Sequence, residues 1–193
     1  MTKNIINISK LIRCNKIGVI PTDTIYGIVA SAWSKKAVAR AYKIMGRDPK
    51  KPFIILISSI EDLALFKVKI DNATKNILKK LWPGKISVVL PIPFKRFQYL
   101  HRGTKTLAFR VPKKPSLIKI LKYSGPLIST SANPQGLKPA ATITEAKKYF
   151  ADEIDFYINN GKMPLFPSTL VEIKHNKIVI KRIGVGKIPN ELL

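Results

Sequence analysis

The spacing of hydrophobic residues changes repeatedly along the chain, from short continuous apolar runs to residues three and four positions apart, as on one face of a helix. Runs rich in β-branched and aromatic residues, closed by polar residues or proline, predict strands. These runs are residues 17–20, 53–57, 86–90, 106–111, 127–130, 154–158, 168–173 and 177–181. Residues 21–27 follow the first run and begin with a proline, which predicts a loop there.

Apolar residues spaced three and four apart predict helices between these strands. The predicted helices cover residues 7–14, 60–66, 72–82, 116–123 and 144–150. Another helix is expected to start after Ser34, a residue type that caps helices, and to end near Gly46 and Pro49. Its apolar stripe comprises Ala37, Val38, Ala41, Tyr42 and Met45.

The order of these elements indicates an α/β layer fold. The last two strands follow each other closely around His175 and Asn176, which predicts a hairpin and therefore a mixed sheet. The chain has 193 residues, of which 46% are hydrophobic, enough for one core. Because no repeat or low-complexity linker divides the sequence, we predict a single domain over residues 1–193.

Signals for export, membrane insertion and metal clusters are weak in this sequence. Residues 1–10 mix polar residues into the apolar ones, unlike a secretion signal, so we expect the mature protein to begin near Met1. No apolar run approaches the length of a membrane span. Cys14, His101 and His175 stand apart, which disfavours a disulfide framework or a His/Cys metal cluster. We therefore expect a cytoplasmic protein without a membrane segment.

The formal net charge of +24 suggests a polyanionic partner, and RNA is the obvious candidate. The basic residues are mainly lysines scattered along the chain, which is also the pattern that codon drift in an A+T-biased genome would produce. Both explanations stay open from the sequence. Because no RGG tract, zinc knuckle or RNP-like pattern occurs, we expect weak, salt-sensitive RNA binding with little sequence preference.

The common phosphate-binding motifs are missing from the sequence. Gly84 and Lys85 have no glycine five residues before them, and no G-x-G-x-x-G occurs. Hydroxyl, amide and arginine side chains instead follow or end several strands, where α/β sheets bind ligands. These segments are residues 21–27, 47–52, 106–110, 129–133, 168–169 and Arg182.

Each of these segments also has an ordinary explanation, because threonine, serine and asparagine are common in turns and caps. Arg110 is different. Phe109 and Val111 flank it, so it lies on the opposite strand face from two apolar neighbours. A buried arginine on that face would require an anion.

Several motifs, in the same order, resemble the YrdC-like threonylcarbamoyl-AMP synthase family. Residues 21–27 resemble P-T-[DE]-T-x-Y-G, residues 42–52 resemble Y-x-I-K-G-R-P-x-x-K-P, and residues 129–133 match S-T-S-A-N. Residues 82–84, 106–112, 167–169, Arg182 and Gly184 supply further matching segments. The resemblance extends from about residue 5 to residue 186 and is to the short, single-domain form.

The resemblance implies a twisted mixed sheet with flanking helices around a positively charged central cavity. It also implies a reaction of L-threonine, bicarbonate and ATP that yields threonylcarbamoyl-AMP and pyrophosphate for t6A modification of tRNA. The implied threonine-binding residues are Thr24, Arg110, Ser129 and Ser168. The implied ATP-binding residues are Arg47, Lys51, Thr106, Ser131, Asn133 and Arg182, with Arg47 and Lys51 also catalytic. Mg²⁺ is expected with ATP rather than on protein ligands, and a tRNA threonylcarbamoyl transferase complex is an implied partner.

The sequence departs from the family pattern at a few positions. Met45 stands where the family has a lysine, and the nearby Lys43, Lys50 and Lys51 are candidate substitutes. Leu56 stands where some members have histidine, and Lys85 replaces a proline.

Two alternatives to the active synthase are considered from the sequence. The first is a catalytically weakened homologue that acts as an RNA-binding or ribosome-associated module, which Met45 and the charge favour. The second is another enzyme of similar architecture, such as the riboflavin-precursor synthase. That enzyme relies on acidic metal ligands, whereas this chain has 11 acidic residues and no acidic cluster.

Overall fold

The structure is a computed structural model that describes residues 2–174 and 176–192. Its strands are β1 Gly18–Pro21, β2 Tyr26–Ser31, β3 Ile54–Leu56, β4 Ile86–Pro91, β5 Thr106–Arg110, β6 Leu127–Ser131, β7 Phe156–Tyr157, β8 Thr169–Lys174 and β9 Lys177–Arg182. Its helices are α1 Thr2–Arg13, α2 Lys35–Ile44, α3 Asn72–Leu81, α4 Gln98–His101, α5 Pro115–Ser124 and α6 Ile143–Phe150. Turns of 3₁₀ helix cover Ile60–Phe66, Lys95–Phe97, Ala151–Glu153 and Asn190–Leu192.

The described strands form one mixed sheet in the order β7-β1-β2-β6-β3-β5-β4-β8-β9. β1 with β7, β3 with β5 and β4 with β8 are parallel pairs, and the other neighbours are antiparallel. The predicted α/β fold with a mixed sheet and flanking helices is therefore confirmed. The last two strands pair as expected, with Lys174 opposite Lys177, although His175 in the predicted turn lies outside the described residues.

Helices cover both faces of the sheet. On one face α1 and α5 pack against Ile20, Val29, Leu56 and Leu127. On the other face α2, α3 and α6 pack against a larger group that includes Phe109. The helix after Ser34 starts as predicted, because the Ser34 hydroxyl accepts a hydrogen bond from the Ala37 amide at 3.1 Å.

Some predicted elements differ from the structure. Residues 26–27 were expected to end a loop, and residues 28–31 were assigned to no element. They form β2, a strand that is buried on both faces and therefore shows no alternation of polar and apolar residues. Residues 60–66 form a 3₁₀ helix rather than an α-helix. α1 begins earlier than predicted, at Thr2, and the short helix α4 was not predicted.

Strand register explains why one sheet face is open at one end. Ile54 of β3 pairs with Ala108 and Ser129, whereas the next residue on that face, Leu56, pairs with Arg110 and Leu127. Directly paired residues point to the same face of a sheet. α1 and α5 cover Leu56, whereas Ile54, Ala108 and Ser129 line a cavity.

Candidate functional site

A cavity of about 230 Å³ lies over this open part of the sheet. Hydroxyl and arginine side chains from six segments that are separate in sequence line it. The polar lining comprises Thr22, Thr24, Arg47, Arg110, Ser129, Thr130, Ser131, Ser168 and Arg182. The apolar lining comprises Ile25, Pro52, Ile54, Ala108, Pro167 and Leu170, together with Gly27. The structure thus brings together seven of the ten predicted site residues.

The turn between β1 and β2 is held by the hydroxyl of Thr22. That hydroxyl donates to the Ile25 carbonyl at 2.7 Å and accepts from the backbone amides of Thr24 and Ile25. It also lies 3.0 Å from the Thr24 hydroxyl. The bonds fix the Thr24 side chain at the cavity wall, so Thr22 acts as a support that sequence reasoning did not assign.

Arg110 is buried and lines the cavity, whereas its apolar neighbours Phe109 and Val111 pack in the larger core on the opposite strand face, as expected. Its Nη1 donates to the Thr24 hydroxyl at 3.3 Å, and its Nη2 lies 3.4 Å from Asp23 Oδ1. Asp23 in turn accepts a bond from the Lys113 amide at 3.0 Å. The sequence predicted an anion beside Arg110 but did not identify Asp23, although this aspartate belongs to the quoted 21–27 motif.

The Asp23 carboxylate satisfies Arg110 only in part. The ion-pair distance of 3.4 Å is long for a strong charge-assisted hydrogen bond. Arg110 Nε and Asp23 Oδ1 are both buried without a hydrogen-bond partner. An unsatisfied buried guanidinium N–H is costly, and an anionic ligand in the cavity would supply its missing partner.

Two further arginines approach the cavity from loops. Arg47 donates to the carbonyls of Lys51 and Pro52, both at 3.0 Å, so it closes the loop after α2. Arg182, the last residue of β9, donates to the Ser168 carbonyl at 2.9 Å. These bonds restrain both guanidinium groups while leaving other N–H groups available to a ligand.

Burial is the main cause of the altered pKa values of the three arginines. It lowers the pKa of Arg110, with Asp23 opposing the change and Arg182 adding to it. Burial and then the neighbouring Arg47 lower the pKa of Arg182. Burial also lowers the pKa of Arg47. Arg182 thus disfavours the charge of Arg110, and Arg47 disfavours that of Arg182, so an anion bound among these guanidinium groups would stabilise their charged forms.

Ser168 and Ser87 form a buried pair at the back of the cavity. Their hydroxyl oxygens are 2.9 Å apart, and Ser87 on β4 is completely buried. Sequence reasoning missed Ser87, which lies in an apolar strand with no motif to mark it. Because its hydroxyl bonds that of Ser168, Ser87 restricts the direction in which Ser168 presents its proton.

Gly27 gives the cavity part of its width. A methyl group there would lie 3.2 Å from the Ser129 hydroxyl and 3.3 Å from the Thr130 carbonyl. Ser129 and Ser131 lie on the same face of β6, and both line the cavity. A larger residue at position 27 would therefore crowd the hydroxyls along β6.

Three predicted site residues lie away from the cavity wall. Lys51 is exposed, and its Nζ is 3.9 Å from Asp48. Thr106 contacts the Thr104 hydroxyl at 3.4 Å. The Asn133 amide group donates to the carbonyls of Pro134 and Leu137, so it organises the loop after β6. The ATP-binding roles of these three residues stay predictions.

Met45 does not leave a charged position vacant at the cavity. Its side chain is 3% exposed and packs in the larger hydrophobic core. The suggested substitutes Lys43, Lys50 and Lys51 are exposed, and none of them lines the cavity. The cations at the cavity are instead the three arginines. Leu56 is likewise a core residue, packed against α1 and α5.

Within residues 2–174 and 176–192, no group of three or more His, Cys, Asp or Glu side chains is placed to hold a metal ion. In the same part of the chain, no helix combines the length and the apolar character needed to cross a bilayer.

The fold and the cavity together define a class: an α/β protein whose mixed sheet carries a cavity lined by arginine and hydroxyl side chains. The family model for the Sua5/YciO/YrdC domain, described as telomere recombination, matches residues 10–184. The chain therefore belongs to the Sua5/YciO/YrdC family, and the resemblance inferred from its motifs is confirmed.

Named relatives and a solved structure agree with this family. The threonylcarbamoyl-AMP synthase of Pyrococcus abyssi is 29% identical over 175 residues, which are 90% of this chain and 52% of the relative. A putative threonylcarbamoyl-AMP synthase of Methanocaldococcus jannaschii is 32% identical, covering 92% of this chain and 84% of the relative. The crystal structure of P. abyssi Sua5 complexed with L-threonine matches with a TM-score of 0.86 and 28% identity, over 95% of this chain and 55% of that one. The chain thus spans about half the length of the P. abyssi protein.

Proposed function

We propose that this chain is a threonylcarbamoyl-AMP synthase that joins L-threonine, bicarbonate and ATP into threonylcarbamoyl-AMP and pyrophosphate. The observation that carries the proposal is the convergence of Arg47, Arg110 and Arg182 with hydroxyl groups in one cavity. Support also comes from relatives named threonylcarbamoyl-AMP synthase and from the similar Sua5 structure with L-threonine.

The threonine carboxylate would bind to Arg110. This guanidinium is buried, lacks a partner at Nε and is only loosely paired with Asp23, so a carboxylate could form a charge-assisted bond. Thr24, Ser129 and Ser168 supply hydroxyls around the same position. Apolar contacts with Ile54 and Ala108 would suit the methyl group of threonine.

The ATP phosphates would bind between Arg47 and Arg182, which are held by the loop after α2 and by β9. The neutral amine of threonine attacks bicarbonate, forming a carbamate and releasing water. A carbamate oxygen then attacks the α-phosphorus of ATP, and the bond to the β-phosphate oxygen breaks, which releases pyrophosphate. The arginines stabilise the charge on the phosphates as this bond breaks, and the cavity holds the two reactants in position.

Mg²⁺ would enter as part of the MgATP substrate. The arrangement around the cavity suits this role, because Asp23 is occupied by Arg110 and by the Lys113 amide. A metal bound through phosphate oxygens does not require a carboxylate cage from the protein.

The product would serve the t6A modification of tRNA in the cytoplasm, with a tRNA threonylcarbamoyl transferase complex as the next partner. The weakened, RNA-binding homologue is the second candidate function. Met45 gives it less support than the sequence suggested, because that side chain packs in the core. The charge of +24 supports RNA binding in either case.

Release of pyrophosphate in an omission series tests the proposal. The purified chain should release pyrophosphate from MgATP only when both threonine and bicarbonate are present. Equal release without threonine would contradict the synthase, and no release at all would favour the weakened homologue. Serine in place of threonine is the matched control, because it keeps the carboxylate and hydroxyl but lacks the methyl group.

A further inference from the structure

Six exposed lysine and arginine residues lie on the surface around the segment that contains Lys95–Phe97 and α4, outside the cavity. We name this surface the basic patch, and it comprises Lys35, Lys50, Lys67, Lys95, Arg96 and Arg102. All six residues are exposed. They come from four separate parts of the sequence, so their proximity is a result of folding.

Contacts with aromatic rings bring several of these cations together. Lys35 Nζ is 5.6 Å from the ring centroid of Tyr99, and Lys67 Nζ is 5.9 Å from that of Phe94. Arg96 lies 4.4 Å from the ring centroid of Phe97. Ammonium and guanidinium groups over aromatic faces are attracted by the ring quadrupole, which favours these placements.

Arg102 joins the basic patch to the loop after α2. Its Nε donates to the Pro49 carbonyl at 2.7 Å, and its guanidinium lies 4.9 Å from the ring centroid of Tyr42. Lys50, Tyr99 and Arg102 line one shallow depression. The patch therefore borders the loop whose Arg47 reaches the cavity.

Carboxylates do not neutralise the basic patch. In the part of the chain that the structure describes, ion pairs involve other residues, and none of the six patch residues takes part in one. Asp48 is close to Lys50 in sequence, but its carboxylate accepts a bond from the Lys50 backbone amide and lies nearest to the Lys51 ammonium. The patch charges are thus available to an external polyanion.

We propose that the basic patch binds the sugar-phosphate backbone of RNA. This inference deepens the proposal that RNA is a partner, but it does not depend on the synthase reaction. Lysines and arginines that neutralise phosphates release counterions, which drives association. Phe94, 38% exposed beside Lys67, adds an aromatic face on which an unpaired base can stack, a contact that an acidic polypeptide lacks.

Fluorescence anisotropy with a labelled tRNA transcript tests the patch against net charge alone. The patch variant carries Lys35→Gln, Lys67→Gln and Lys95→Gln. The control variant carries Lys10→Gln, Lys119→Gln and Lys122→Gln, exposed lysines on α1 and α5, and loses the same charge. None of these lysines lines the cavity, so both variants should retain the wild-type pyrophosphate release.

The patch variant should bind the transcript at least about tenfold more weakly in 50 mM salt, while the control should change less than about threefold. The slope of log affinity against log salt should become shallower by about 2 to 3 in the patch variant, since three phosphate contacts are lost. Equal losses in both variants, or no binding by the wild-type chain, would overturn the proposal.

A polyglutamate competitor and the pyrophosphate assay separate the remaining outcomes. The tRNA transcript should displace polyglutamate readily, and the reverse preference would overturn the proposal in favour of an acidic protein. If the wild-type chain bound RNA through the patch but released no pyrophosphate, the synthase proposal would fail and the RNA surface would stand.

Discussion

Arg110, paired with Asp23 at the cavity, is a residue with a role in both folding and binding. Arg110 and Asp23 are 4% and 2% exposed at their side chains, so each would be a costly isolated charge without the other. Yet their 3.4 Å contact leaves Arg110 Nε without a partner. Asp23 thus keeps Arg110 charged and in place, while the substrate carboxylate is expected to complete its bonding.

Arg110→Lys and Ser131→Ala should therefore impair different substrates. Arg110→Lys keeps a charge beside Asp23 but loses the bidentate fork, so threonine affinity should fall by about 2 kcal/mol or more while ATP affinity is largely unchanged. Ser131→Ala removes a neutral hydroxyl and should weaken ATP binding by about 1 kcal/mol. Calorimetric titration of both ligands against both variants measures the difference.

Arg110→Ala extends that comparison, because it also leaves Asp23 buried without its cation. It should abolish measurable threonine binding and lower the melting temperature as well. Normal threonine affinity in a folded Arg110→Ala variant would mean that Arg110 is structural and that the threonine site lies elsewhere.

Ser87 should affect threonine through Ser168. Removal of its hydroxyl frees the Ser168 hydroxyl to rotate, so Ser87→Ala should raise the KM for threonine about fivefold, which corresponds to one hydrogen bond. The KM for ATP should stay constant. Ser9→Ala is the control, since the Ser9 hydroxyl is equally buried but bonds only backbone carbonyls away from the cavity. Parallel increases in both KM values for Ser87→Ala would indicate a general structural defect.

At the scale of elements, Asp155 connects three parts of the fold. Its carboxylate accepts a bond from the Ile17 amide at 2.7 Å, just before β1, and it pairs with Arg40 of α2 and with Lys16. Burial raises the pKa of Asp155, but the Ile17, Arg40 and Lys16 contacts outweigh it and leave the pKa below its usual value. The carboxylate is therefore expected to stabilise the packing of α2 and β1.

Replacement of Asp155 should show this contribution in the free energy of unfolding. Asp155→Asn should lose about 1 to 2 kcal/mol at pH 7, where the folded carboxylate is ionised. Since the folded pKa is lowered, the difference from wild type should persist above about pH 4 and shrink as the pH falls through the folded pKa. Urea denaturation across this range measures it.

The exposed Asp152 offers a matched control for that experiment. Asp152→Asn removes a charge from the same segment between α6 and β7. Among the described residues, Asp152 forms no ion pair. Its unfolding free energy should stay within about 0.5 kcal/mol of wild type. An equal loss in both variants would contradict the anchoring role of Asp155.

Most elements were predictable because their periodicity matched their burial. The stripe of α2 and its Ser34 cap were read correctly, as was the final strand pair. β2 was missed because both its faces are buried, so no alternation distinguishes it from a buried loop. The seven predicted residues around the cavity came from family motifs, whereas Asp23 and Ser87 act through contacts that only the fold creates. Thr22 acts within a local turn of residues 21–27, where the sequence had assigned it no role in the site.

At the scale of the whole molecule, the sheet register gathers arginines and hydroxyls from both halves of the chain into one cavity. β3 lies between β5 and β6, so Ala108, Ile54 and Ser129 meet on one face. Ser168, just before β8, and Arg182, at the end of β9, complete the lining. The chain spans about half of the P. abyssi relative, yet the described residues include this entire lining. We expect this unit to carry out the proposed synthase reaction alone.

Transfer of labelled carbon from bicarbonate into an adenylate tests that claim most directly. The purified chain, incubated with MgATP, threonine and ¹³C-bicarbonate, should form an adenylate whose mass includes one ¹³C atom and one threonine, detected by mass spectrometry. Arg110→Ala should abolish this product, whereas Ser9→Ala should leave it at the wild-type level. An AMP product without the label would contradict the proposed synthase activity, and a labelled product that forms equally well in Arg110→Ala would contradict the proposed role of the cavity.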